Sequence, residues 1–208
     1  MTRTHPDAPV VPARRGRVSL WVPIAVLVLT VGQLAVAQWV PGIERFSGKA
    51  FGARLVAYPV MMLLVPAIWW IAVKRRVPAA EVPYGAFSLV MLGFLVDVSG
   101  NSLDLYDSVT WWDDLNHVTN WVFLLTGIGL LVGRRVQPTW ALVVMVAGLG
   151  AALAVGWEAG EWYTFIRGGT ELDTAYQDTL GDEALGTLGA TLAGLAVAWV
   201  RGRSTPRA

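Results

Sequence analysis

The sequence predicts an all-α polytopic membrane protein, a bundle of about six transmembrane helices, and three observations predict it. The 208 residues are 55% hydrophobic with a mean hydropathy of +0.52, and only 15% are charged, which is too apolar for a soluble domain of this size. Six stretches are long enough to cross a hydrocarbon core, which takes about 20 helical residues. Basic residues alternate between the connections in the way that retention of Lys and Arg on the cytoplasmic side requires.

A tail over residues 1–18 carries Arg3, Arg14, Arg15 and Arg17 and is expected in the cytoplasm. The first span, 19–40, is apolar with isolated polar residues such as Gln33 and Gln38. Arg14-Arg15 and the Ala35-Val36-Ala37 step resemble parts of a cleavable export signal. The run is longer than the roughly 7–15 residues of a signal core, so it is read as a retained helix; cleavage would leave five spans. After the Pro41-Gly42 turn the second span covers 54–73, and Pro23, Pro59 and Pro66 are read as kinks, because bundle neighbours satisfy the backbone groups that proline frees. Lys74-Arg75-Arg76-Val77-Pro78 ends it, and the third span, 82–105, carries Asp97 followed by Ser99, Asn101, Ser102 and Asp104. The fourth, 114–132, opens at Asp113-Asp114-Leu115-Asn116-His117 and stops at Arg134-Arg135. The fifth, 138–165, runs from Pro138 past Glu158 and Glu161, and the sixth, 180–200, starts beside Asp178 and Asp182. A second tail, 201–208, holds Arg201, Arg203 and Arg207.

Twelve of the 16 basic residues lie on the tails and alternate connections, leaving Arg45, Lys49, Arg54 and Arg167 on the others. Both termini are therefore expected in the cytoplasm. Of the 15 acids, only Asp7 and Glu81 then fall on that side. No basic nucleic-acid footprint is present, and the absence of cysteine excludes disulfides, thiolate metal sites and cysteine nucleophiles. Most of the 11 tryptophans lie near span ends, as an aromatic belt at the two interfaces requires. Small residues at Gly148, Gly150, Ala154, Gly156 and Gly160, then Gly186, Gly189, Ala190 and Gly194, predict close packing of the last two helices, since spacings such as Gly156 to Gly160 and Ala190 to Gly194 permit close backbone approach.

The chemistry concentrates where the last four helices meet the outer interface. Residues three or four apart share a helix face, so Asp113 or Asp114 can pair with His117, Glu158 with Glu161, and Asp178 with Asp182. Counted along the helical rise, Glu158 is roughly 30 Å from the start of its span and Asp182 about 27 Å from the end of its own, which puts the two at comparable depth. Bundles that hold metals project acids and histidines inward in this manner. Asp113, Asp114, His117, Glu158, Glu161, Asp178 and Asp182 are thus candidate ligands, and an oxygen-rich set with one imidazole favours Mg²⁺, Mn²⁺, Ca²⁺ or a di-iron centre over zinc. Asp97, with Asn101 a turn later, lies inside the apolar layer, where a carboxylate has to be protonated, paired or metal-bound. A purely structural account exists for the acids at helix starts, which interact favourably with the helix dipole. It fails for Glu158 and Glu161 near a helix C-terminus, where a positive partner is needed; basic residues on that side are few, Arg167 being the nearest in sequence, so a cation, a protonated His117 or shared protons are expected to supply the balance.

Glu158-x-x-Glu161-Trp162, the stretch ending Asp178-x-x-x-Asp182, Gly189-Ala190 and the preceding Asp113-x-x-x-His117 step resemble the YjdF-like bacterial inner-membrane proteins. More distantly the chain is similar to the VanZ-like proteins, which are linked to glycopeptide antibiotic resistance. The resemblance covers about half the chain and implies a location in the bacterial cytoplasmic membrane, without implying an established reaction.

Three classes of function compete. In the first, a metal-dependent hydrolase or transferase acts on a lipid or lipid-linked substrate at the outer leaflet, with a cation polarising a phosphoryl or acyl oxygen while His117, Asp114 or Glu161 moves the proton. In the second, Asp97 is the proton-linked group of a cation-coupled transporter whose outer acids form a funnel. A binding or resistance protein without turnover is the VanZ-like alternative.

Overall fold

The computed structural model describes residues 18–73, 82–167 and 172–203, and among these every regular element is helical. Six helices are long and apolar enough to cross a membrane: α1 (Trp21–Trp39), α2 (Phe51–Val73), α3 (Tyr84–Ser102), α5 (Trp112–Val132), α6 (Thr139–Glu161) and α7 (Ala175–Gly202). A single turn, α4 (Leu105–Ser108), lies between α3 and α5. The basic residues of the N-terminal tail, the run 74–78, Glu81, Gly168-Gly169, Glu171 and Arg207 lie outside the described residues.

Helices are the expected solution in lipid, where each backbone N–H and C=O has to be satisfied within its own segment. Three of the boundary differences from the sequence reading shape the site. The third helix stops at Ser102 rather than 105, because Asp104 adopts a left-handed backbone with φ 63°; a short polar side chain tolerates that conformation better than most residues. The second begins at Phe51 rather than 54, so Arg54 lies inside its first turn. The sixth begins at Ala175, which brings Asp178 onto the helix with Asp182 one turn later. Past Glu161 the chain widens into a π-helical turn, Trp162–Ile166, in which the Thr164 hydroxyl donates to the Gly160 carbonyl.

Two packing groups make up the bundle. α5, α6 and α7 enclose Leu125, Leu142, Val146, Ala154, Ala190, Ala193 and Val197. Missing side chains let these backbones approach. A carbon added at Gly189 would stand 2.5 Å from the Val118 carbonyl oxygen, one at Gly194 3.2 Å from Val143 Cα, and Gly150 faces Ala190 directly. Gly156 and Gly160 meet nothing within 4 Å, so the expected step at 156–160 faces away from the seam, whereas the expected step at Ala190 and Gly194 lies in it together with Gly186 and Gly189. α1, α2 and α3 enclose Leu34, Phe51, Tyr58 and Val98, with Val26, Met62 and Met91 nearer the other end. The groups meet where α3 crosses α5: a carbon at Gly127 would lie 2.7 Å from the Ala86 carbonyl oxygen.

α2 is the outermost helix, exposing Val56, Val60, Leu64, Ile68 and Ile71, a surface that suits lipid tails and not water. Trp21, Trp39, Trp111, Trp140 and Trp199 are exposed at or near helix ends, at the height of an aromatic belt. At one end of the bundle Arg201 donates from one nitrogen to the carbonyls of Gly133 and Val136, both at 2.7 Å, satisfying groups that the end of α5 leaves open. At the opposite end the α1–α2, α3–α5 and α6–α7 connections come together, and the polar side chains gather there.

Candidate functional site

Asp97 on α3 is 9% exposed and is held from four directions. Its Oδ2 accepts from Arg54 and from the Tyr58 hydroxyl, each at 2.6 Å, and its Oδ1 accepts from the Tyr106 hydroxyl at 2.7 Å and Asn101 Nδ2 at 3.2 Å. Arg54 and Tyr58, one turn apart on α2, also bond each other. Of the three fates expected for Asp97, pairing is the one realised, with a guanidinium that reaches it across 43 sequence positions. Tyr106, in the connection after α3, is buried beside this carboxylate. Burial first, and then the Asp97 charge and hydrogen bond, hold its phenol well above the ordinary value, so it stays a donor toward Asp97. Its oxygen in turn accepts from Asn116 Nδ2 on α5.

A latch closes over this network from the α1–α2 connection. Lys49 Nζ lies 2.7 Å from Asp104 and 2.6 Å from Asp107, with its side chain 14% exposed. Burial lowers the Lys49 value, but the hydrogen bonds it donates to Asp104 and Asp107, with the charges of those carboxylates, outweigh it and leave a net rise. The same bond from Lys49 holds the Asp104 carboxyl below its usual range.

Asp113, His117 and Asp182 form the second centre. One ligand atom from each lies within 4.8 Å of the others, and His117 Nε2 is 3.6 Å from Asp113 Oδ1 and 3.5 Å from Asp182 Oδ2. Both separations exceed a hydrogen bond, which for N–H···O spans about 2.7–3.2 Å. They are in the range of donor atoms around one oxygen-preferring cation: neighbouring ligands at right angles stand ~3.0 Å apart for bonds of about 2.1 Å and ~3.4 Å apart for Ca²⁺ bonds of about 2.4 Å. α5 supplies Asp113 and His117 one turn apart on a single face, and α7 supplies Asp182, which reaches them because Gly186 and Gly189 let α7 close onto Trp121 and Val118 of α5.

Both centres open on one cavity of about 580 Å³. Its wall includes Asp113, His117, Asp178, Asp182 and Glu161 on one side and Lys49, Arg54, Tyr58 and Asp97 on another, while Val90, Phe94, Leu124, Trp121 and Trp157 add apolar surface. Of the residues singled out from sequence, Asp113, His117 and Asp182 meet directly, Glu161 and Asp178 line the same cavity, and Asp97 and Asn101 line it through the Arg54 network. Two fall elsewhere. Glu158 is buried, hydrogen-bonded to Thr179 and outside the cavity lining, because its face of α6 is turned toward α7. Asp114, one position round the helix from Asp113, is exposed. The positive charge acting on Glu161 includes that of Arg54, a partner beyond the cation, protonated His117 or shared protons expected from sequence.

Arg54, Tyr58, Tyr106, Asn116 and Lys49 were not singled out from sequence. The available signals were the Arg54-x-x-x-Tyr58 step at the head of an apolar span and the amides Asn116 and Asn120 four apart in the fourth span, since polar groups at membrane depth demand partners.

No curated protein and no solved structure matches the chain. A family model described as Predicted membrane protein (DUF2238) matches residues 19–203, which takes in all six spanning helices and both polar centres. The chain is a multi-pass membrane protein and belongs to that family.

Proposed function

We propose that this protein is a metal-dependent hydrolase or transferase for a lipid or lipid-linked substrate, with Asp113, His117 and Asp182 as the cation ligands. One observation carries the reading: His117 Nε2 stands 3.6 and 3.5 Å from two carboxylate oxygens, at the separation of shared ligands and beyond that of hydrogen bonds, beside a cavity with both acidic and apolar walls. A divalent cation there would supply Lewis acidity toward a phosphoryl or acyl oxygen. Glu161 and Asp178, on the same wall, are the groups placed to take or return a proton. The apolar surface of Val90, Phe94 and Leu124 suits a hydrocarbon tail. The site end of the bundle faces out of the cytoplasm in this reading, with both termini inside, the tails at 1–18 and 201–208, and the bacterial cytoplasmic membrane as the location. The YjdF-like resemblance supports that placement, and the family match is consistent with it.

Transport through Asp97 is the weaker reading, because Arg54 and three neutral donors already hold that carboxylate. A VanZ-like binding protein would keep the cavity and lack turnover.

Elemental analysis of the protein purified in mild detergent, before and after chelation, tests the cation. Wild type should carry a divalent metal, and His117→Gln and Asp182→Asn should lose it, together with the stabilisation that a ligand binding only the folded state confers, about 2.7 kcal/mol at a hundredfold excess over Kd. Asp114→Asn and Glu158→Gln should keep it. A metal-free wild type that gains no thermal stability from Mg²⁺, Mn²⁺, Ca²⁺, Fe²⁺ or Zn²⁺ ends the proposal.

A further inference from the structure

The helices that wall the cavity close a ring on every side but one. Among the described residues its lining side chains come from α2, α3, α5, α6 and α7 and from the chain segments at the site end, with none from α1. Around that ring α2 packs on α3, α3 on α5, α5 on α7 and α7 on α6. The joint that would complete it, α6 with α2, is not a packed pair. Two aromatic rings face each other across it: Tyr58 of α2 and Trp157 of α6 stand with centroids 6.5 Å apart and planes tilted by 48°. On both sides of Trp157 the same face of α6 is open. Leu153, one turn farther from the connections, is 39% exposed, and a carbon added at Gly160, a turn the other way, would meet nothing within 4 Å.

This joint lies inside the membrane. Trp157 is four residues from the end of α6 and Tyr58 seven from the start of α2, so the two rings sit about 6–10 Å in from the helix ends, within an apolar layer about 30 Å thick. What stands outside the joint at that depth is acyl chain and not water. The two rings are held differently. Tyr58 is buried, and its hydroxyl is engaged by both Asp97 and Arg54. Trp157 is only partly buried and packs by apolar contact against the side-chain groups on both sides of the gap. Inside the joint the wall is graded, from Asp97 through Phe94 to Val90 on α3 and from His117 through Trp121 to Leu124 on α5. A molecule arriving sideways therefore meets charge with the end nearer the connections and apolar surface with the rest.

We propose that the α2–α6 joint is the binding surface of a bilayer lipid, which reaches the cavity sideways from the membrane. Its polar group enters the cavity and its hydrocarbon lies between Tyr58 and Trp157 and over Leu153. A joint closed by packing, as the other four are, would confine the cavity to solutes arriving from the connection end. The lipid is the one the proposed reaction would use, but its entry needs neither cation nor turnover. Measured with chelator present, it stands or fails apart from the metal.

The test is photolabelling of the full-length protein in phosphatidylcholine vesicles with EDTA, doped with a phosphatidylcholine that carries a diazirine in its acyl chain. Peptide mass spectrometry reads the labelled residues. Label should appear on Phe94 and Leu124 inside the joint as well as on Val60, exposed on the outside of α2, and should be absent from the fully buried Leu125. Leu153→Trp puts a large side chain at a position already exposed to lipid, and should cut labelling of Phe94 and Leu124 severalfold while leaving Val60 unchanged. Val155→Trp, exposed on another face of α6, should change neither. Wild type labelled at Val60 and bare at Phe94 and Leu124 would overturn the proposal. Labelling inside the cavity that Leu153→Trp does not reduce, or that Val155→Trp reduces equally, would remove the entrance from this joint and overturn it too. A water-soluble diazirine that labels Phe94 where the lipid probe does not would make the ligand a solute from the aqueous side, and the lipid assignment would fall.

Discussion

Arg54→Met isolates what the buried ion pair does. The two side chains are 15% and 13% exposed and 2.6 Å apart, so little solvent screening applies, and removing one partner of such a pair costs about 3–5 kcal/mol. Which end of that range applies follows from what each change leaves behind. Without Arg54, Asp97 still accepts from Tyr58, Tyr106 and Asn101, so the loss should be about 3 kcal/mol. Asp97→Ala takes the carboxylate away from all four donors at once, with Asn101 keeping its bond to the Asp97 carbonyl and Arg54 its bond to the Lys49 carbonyl, and should cost about 5 kcal/mol. The double variant removes both charges, and its loss should fall short of the sum by about 2 kcal/mol or more, as for residues in one network. Reversible unfolding in mixed micelles, followed by far-UV circular dichroism as SDS is raised, measures all four proteins. A cost below about 1 kcal/mol for Arg54→Met, the range of exposed pairs, or strict additivity in the cycle would refute the reasoning.

The glycine seam gives a contrast of sign: Gly189→Val drives carbon into the Val118 carbonyl and should destabilise by about 1–3 kcal/mol, whereas Gly156→Ala meets open space and should be neutral or stabilising by up to about 1 kcal/mol in the same assay. The Lys49 latch should depend on pH at both extremes. Asp104 is held below its unfolded value by Lys49, so its contribution is present above the ordinary carboxylate range and lost as pH falls through the depressed folded value. Lys49 is held above its own, so its contribution is complete below the unfolded value and lost as pH rises through the folded one. The difference in thermal stability between wild type and Asp104→Asn should therefore be flat from about pH 5 to 10, narrow on either side, and shrink with salt. A difference that does not change down to pH 3 would dismiss the latch. For topology, an impermeant thiol reagent on intact cells should label Ser108→Cys and spare Arg135→Cys, and the reverse pattern would invert the orientation.

Element by element, hydropathy located the six spanning helices because a lipid-crossing segment leaves a long, simple record in composition. What it missed lay at the ends. The stop after Ser102 depends on one left-handed residue, Asp104, and no periodicity announces that. Asp113 and His117 could be paired from spacing alone, since both lie on one helix. Their meeting with Asp182 depends on how closely α7 approaches α5, which Gly186 and Gly189 decide in three dimensions. Arg54 was legible as a charge and not as the partner of Asp97, because 43 positions and a helix crossing separate them. Glu158 shows the limit of helical spacing most plainly. It shares a face with Glu161 on paper, yet a partner on α7, Thr179, turns it out of the cavity.

The lipid-facing position of α2 has a consequence for how the chain is assembled during synthesis. Its Arg54 belongs to a helix with few buried residues of its own, Phe51, Tyr58 and Met62, and the carboxylate that neutralises it lies on the next helix to emerge. Until α3 arrives, that guanidinium has to remain at the headgroup level, where long basic side chains reach water. The body of α2 is long and apolar enough to cross without help, so what waits for Asp97 is the first turn around Arg54, which is expected to settle inward only when α3 is in place. A cysteine placed at Val56 should react more readily with an impermeant thiol reagent in truncated chains ending before Asp97 than in those ending beyond Tyr106.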